Sequence, residues 1–181
     1  MSLDRQPTLH GRLVGVRPLE PGDLEALYAV ARDPLIWELH PTPDRWRRPV
    51  FESYFAEAID SRGAVLVTAA DCAVIGASRF HEYAPGLPRV EIGWTFLARD
   101  RWGGAHSAEL KQLMLDHAFG SVDAVRFRVG AGNLRSRRAV EKLGARLLGP
   151  STDLEGHVEY ALQRDDWRAR PGACDMPAPG T

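Results

Sequence analysis

One stretch, Val90 to Gly144, restricts the fold more than any other. Val90–Leu97 is apolar and rich in β-formers. Trp102-Gly103-Gly104-Ala105-His106-Ser107 carries little side-chain bulk after its tryptophan. Leu110, Leu113, Met114, His117 and Ala118 then recur at helical spacing. The order reads as strand, small-residue loop, helix. Val125–Val129 alternates as a half-buried strand, Asn133 opens a second helix, and Gly144 closes it as a C-cap.

A bare loop entering a helix has a chemical use. The first N–H groups of a helix lack internal partners and sit at its positive end, so a pyrophosphate can rest on them. Gly-Gly also makes ordinary turns, so the loop alone is a weak signal. Between Ala124 and Val140 there is no acid, and there are five arginines: Arg126, Arg128, Arg135, Arg137 and Arg138. That local excess suits a small polyanion, since arginine binds phosphate in bidentate fashion.

The order EIGWTFLARDRWGG, AELK, LMLDHAF, FRV, N, RSRRAVEKLGA resembles the GCN5-related N-acetyltransferase (GNAT) family, in its RimJ/RimL-like branch. In that family the phosphate loop reads Gln/Arg-x-x-Gly-x-Gly/Ala. Aligned through Glu109, Trp102, Ala105 and Ser107 stand at the fixed positions and depart from the pattern while two of them stay small. The resemblance implies an α+β GNAT fold, with a mixed, mainly antiparallel sheet of about seven strands flanked by helices. It implies acetyl-CoA as donor and an amine as acceptor. It places the cofactor on Phe96, Leu97, Trp102, Gly103, Gly104, Ala105, His106, Ser107, Asn133, Arg135, Ser136 and Arg138. A backbone N–H near Phe96-Leu97 would hold the thioester oxygen, and a splay between that strand and Val125–Val129 would admit the pantetheine arm. RimL-type enzymes use a serine at the position of Ser136 to protonate the leaving thiolate; a helix residue bonded to its own turn is the plain alternative. The tyrosine that many members use falls at Val140, and a RimL-type glutamate cannot be carried over to Glu155 because the chain is short there.

Glu91 lies on the strand before the loop, with side-chain parity matching Gly93, Thr95 and Leu97. It is a candidate base for the amine, directly or through water, or else a carboxylate that orders backbone or an arginine. His106 faces either cofactor or solvent. His117 reads as a satisfied buried or half-buried residue, His40 and His81 as candidate pocket walls, and Trp37, Trp46 and Trp94 as core.

A formal net charge of −1 argues against binding nucleic acid through bulk electrostatics. No apolar run reaches the ~20 residues of a membrane helix, and no signal region opens the chain. Cys72 and Cys174 do not form a metal motif, and a disulfide is not expected, which points to the cytoplasm. No metal is called for, and a homodimer is compatible with the resemblance. Residues 1–169 read as one domain and 170–181 as a flexible tail. Along the chain, strands are expected at Leu9–Leu19, Ala64–Ala69, Ala73–Tyr83, Val90–Leu97, Val125–Val129, Ala145–Gly149 and His157–Gln163. Helices are expected after Pro21, over Trp46–Ile59, and at Asp165–Arg168. Two readings of function follow: an acetyl-CoA-dependent N-acetyltransferase, or a non-enzymatic acyl-CoA-binding module of the same fold. An unrelated phosphate-binding domain is the third and weakest.

Overall fold

The computed structural model describes residues 2–170. Its strands are β1 (Leu9–His10), β2 (Val14–Pro18), β3 (Ala64–Ala69), β4 (Val74–His81), β5 (Arg89–Leu97), β6 (Ala124–Gly130), β7 (Arg146–Pro150) and β8 (His157–Gln163). Its helices are α1 (Leu24–Ala31), α2 (Arg48–Asp60), α3 (Ala105–Phe119), α4 (Leu134–Lys142) and α5 (Arg164–Arg168). The strands form one sheet in the order β1-β2-β3-β4-β5-β6-β8-β7. All neighbours are antiparallel except β5 and β6.

The sheet has eight strands where the sequence suggests about seven. The expected strand Leu9–Leu19 is broken at residues 11–13. The N–H groups of Arg12, Leu13 and Val14 donate to the Glu109 carboxylate of α3 at 3.0, 2.6 and 2.8 Å. A Cβ on Gly11 would stand 2.6 Å from that carboxylate, so glycine lets the acid in.

Two cores lie on opposite faces. Val65 and Val67 of β3 pack with Leu110, Met114 and Leu115 of α3. Ala64 and Leu66 of the same strand pack with Leu27 of α1 and Phe51, Tyr54 and Phe55 of α2. A strand covered on both sides has no polar face, which is why Ala64–Ala69 reads as a continuous apolar run. Pro49 sits in the first turn of α2, where its missing N–H costs nothing. Cys72 is exposed in the β3–β4 turn, with φ of 66°; Cys174 and the expected tail lie outside the described residues, apart from Arg170.

Candidate active site

Strands β5 and β6 pair only at Arg89 with Ala124, Val90 with Val125 and Glu91 with Arg126. β5 continues to Leu97 and β6 to Gly130 with no further pairing between them. The two central strands therefore diverge toward their C-terminal ends, and the gap opens onto the starts of α3 and α4.

A bulge shapes the wall of this gap. Gly93 pairs with Arg79 and Phe96 with Ala77, so two residues of β5 face one of β4, and Trp94 has φ of 52°. The extra residue reverses the alternation. Val90 and Ile92 face the α3 core, yet so does Leu97, while Phe96 faces the α1–α2 core. The expected parity of Glu91 with Thr95 and Leu97 is therefore corrected: of Gly93, Thr95 and Leu97, only Gly93 shares the face of Glu91. Past the bulge, Ala98 N–H donates to Ile75 O at 2.8 Å. Alternation then turns the N–H and C=O of Leu97 away from β4 and into the gap. The Leu97 carbonyl is met there by the Trp102 indole N–H at 2.8 Å.

The helix begins earlier than its periodicity suggests. Gly104 is the N-cap, and Ala105, His106 and Ser107 form the first turn of α3 instead of a loop. No side chain caps this end, and the first internal bond is Ala108 N–H to Gly104 O, at 3.2 Å. Gly103 takes φ of 64° with open space where a Cβ would be, and Ala105 is exposed. Unspent amides without covering side chains fit a phosphate group. Arg101 stands beside them, its Nη1 3.2 Å from His106 Nε2.

Asn133 caps α4, its Oδ1 accepting from Ser136 N–H at 3.1 Å, and leaves the Ser136 side chain half-buried at the same end. The arginine cluster is corrected in its main point. Four of its five members have partners inside the protein. Arg126 pairs with Glu82, Asp153 and Glu159. Arg128 pairs with Glu82 and Glu91. Arg135 meets Glu38 at 2.7 Å and lies 3.9 Å over the Trp102 ring. Arg137 donates to the Tyr160 hydroxyl at 2.9 Å. Arg138 is exposed, with no ion pair among the described residues. The acids that answer the cluster lie far away in the chain, so a window scan could not find them.

Glu91 is buried, its Oε2 accepting from Arg128 Nε at 2.9 Å. Lys111 enters the α3 side of the gap, where its Nζ donates to Thr95 Oγ1 at 2.9 Å and lies 5.9 Å from the Phe127 ring. Burial pulls its pKa from 10.5 to about 8. Nothing in the sequence pattern marked it beyond being one of two lysines. On the opposite face, Trp37 is buried as expected, and His81 and Trp94 meet edge to face at 4.8 Å. His117 is half-buried, its Nε2 2.7 Å from Asp4 O. A groove of about 370 Å³ lies at the end of β6, lined among others by Glu38, His40, Gly130, Asn133 and Gly156.

The family model for the acetyltransferase (GNAT) domain matches residues 14–146. This chain belongs to that family. A search of curated proteins finds no match. Among solved structures, a GNAT-family protein from Chromobacterium violaceum aligns with TM-score 0.81 at 20% identity, covering 93% of each chain. RimJ of Mycobacterium smegmatis in complex with CoA-disulfide aligns with TM-score 0.71 at 19% identity, covering 92% of this chain and 91% of that one. Spermidine N-acetyltransferase of Vibrio cholerae, in complex with CoA and spermine, gives 0.64 at 16%, covering 85% and 97%. No helix among the described residues is long and apolar enough to cross a membrane.

Proposed function

We propose that this chain is an acetyl-CoA-dependent N-acetyltransferase that moves an acetyl group directly to a bound primary amine, in one ternary complex. The observation that carries this reading is the gap between β5 and β6, which runs from the inward-facing Leu97 amide to the uncapped start of α3. The pyrophosphate would rest on the amides of Ala105, His106 and Ser107, with Trp102, Gly103 and Gly104 lining its approach. The family pattern also fits one residue earlier, with Arg101 and Gly104 at its first two fixed positions and His106 at the last. Pantetheine would follow β5 past Phe96, exchanging the Trp102 indole at Leu97 O for its own amide. Asn133, Ser136, Arg135 and Arg138 would border it from α4. Arg135 would have to exchange Glu38 for a phosphate; Arg138 has no such tie.

In the reaction the Leu97 N–H donates to the thioester oxygen as it gains charge. Glu91, oriented by Arg128, takes the proton of the attacking amine through water, and the Ser136 hydroxyl gives a proton to the leaving thiolate. The products are an N-acetyl group and free coenzyme A. RimJ of M. smegmatis, with its CoA-disulfide, is the neighbour that supports a RimJ/RimL-like placement. A single catalytic domain over residues 1–169, working in the cytoplasm, completes the reading.

The test is release of free thiol from acetyl-CoA with a broad panel of amines. Thiol appearing with at least one amine class, and with chelator present, is the expected result. Binding of acetyl-CoA by calorimetry with no thiol released by any amine would instead make the chain an acyl-CoA-binding module.

A further inference from the structure

On the α1–α2 face of the sheet, hydrogen-bond donors outnumber the acceptors that meet them. Arg79 of β4 is only 4% exposed, and its Nε and Nη2 have no partner among the described residues. Its guanidinium lies 4.7 Å over the Trp94 ring and 5.7 Å over that of Tyr54. Arg45, before α2, lies 4.7 Å over the same Tyr54 and 5.2 Å over Trp37, and its Nε is also unpartnered. Neither arginine forms an ion pair among the described residues. Ring faces attract a cation but accept no in-plane N–H bond, so Nε of both arginines and Nη2 of Arg79 stay unsatisfied. A buried cation is normally paired. Burial pulls both guanidiniums below their ordinary pKa, and at Arg45 the charge of Arg79 adds to the effect.

His40 carries the same excess. Thr42 N–H donates to its Nδ1 at 2.9 Å, and Arg45 Nη1 stands 3.2 Å from its Nε2. A neutral imidazole has one accepting nitrogen, so in either tautomer one donor faces another. Burial, then the Arg45 charge, hold His40 neutral by lowering its pKa to about 4. His40 also lines the groove at the end of β6, so one member of this cluster borders the site.

We infer that Arg45 and Arg79 seat a carboxylate that belongs to the acceptor, which makes the acceptor a small amino-carboxylate and not a polyamine. The inference rests on the transferase reading above. A carboxylate gives planar acceptors to a guanidinium fork and one more to the His40 N–H. A polyamine would bring further positive charge to two cations that lack a direct ion pair among the described residues. The burial of Arg79 favours a short acceptor over a folded protein.

The test uses the full chain, acetyl-CoA and matched pairs: free L-amino acids against their carboxamides, with spermidine and a neutral peptide as further arms. The free acids are expected to exceed their carboxamides in kcat/KM by roughly ten- to a hundredfold, the value of losing a charge-assisted hydrogen bond. Arg79→Met should bring the acid down toward its amide without lowering Tm, because it removes a buried cation and strands no ion-pair partner. Arg45→Met gives the same comparison at a less buried position if Arg79→Met does not fold. Equal rates for acid and amide, or faster turnover of spermidine or the peptide, would overturn the inference and leave the transferase reading standing. If no amine releases thiol, the seat is read by thermal shift of the coenzyme A-saturated chain with N-acetyl-amino acids and their carboxamides. A rise with the acids alone supports the seat, and no difference overturns it.

Discussion

Lys111 shows how a single residue can contradict its own type. It precedes Met114 and Leu115 at helical spacing, and both are buried, so its side chain enters with them. Its folded pKa of about 8 lies below the ordinary 10.5 because burial disfavours the cation. The cationic form therefore costs stability in full below about pH 8, and the cost fades as pH rises toward 10.5. Lys111→Met should stabilise the unliganded protein at pH 7 by about 1–2 kcal/mol. The full displacement would correspond to ~3 kcal/mol, reduced here by the bond to Thr95 and by residual contact with solvent. Melting curves from pH 7 to pH 10 check this, with the advantage of the variant shrinking as pH rises. A constant advantage would mean that packing alone is responsible. The charge argued for solvent and the spacing argued for burial; only the position of α3 over the open gap decides between them.

At the scale of elements, the start of α3 and the bulge in β5 divide the work. Ala105→Glu would add a carboxylate in the first helical turn. In the unliganded protein this is favourable or neutral, since an acid near a helix N-terminus interacts well with the exposed amides. For a pyrophosphate on the same amides it is repulsive. The expected outcome is an unchanged or slightly raised Tm together with loss of at least about tenfold in acetyl-CoA affinity, measured by calorimetry. Normal affinity in the folded variant would move the phosphate site elsewhere. The caps of α4 were readable in the sequence because each is local: Asn133 bonds Ser136, and Gly144 takes φ of 88°. The bulge was not readable. Gly93 is the one local hint of a break, but it does not place the extra residue, and the positive φ of Trp94 is held by pairing with β4 on either side.

Across the whole molecule, Glu109 ties the sheet edge to the helix that leaves its centre. Three backbone N–H groups converge on it, and replacement by alanine leaves them without that acceptor. Glu109→Ala should cost about 2 kcal/mol, read as a lower urea midpoint with little change in slope, and should loosen the start of α3 enough to weaken acetyl-CoA binding. The sequence by itself determined the run from β5 through α4, the strands Ala64–Ala69 and His157–Gln163, and the small-residue start of α3. Hydrophobic period, caps and breakers act over a few residues, so a linear reading captures them. Tertiary structure alone decided which arginines are free. Arg126 and Arg128 are answered by acids from the β4–β5 turn and from the β7–β8 hairpin, while Arg79 and Arg45 are brought together on aromatic rings with no ion pair among the described residues. Charge pairing depends on distance in space, and these partners lie tens of residues apart along the chain.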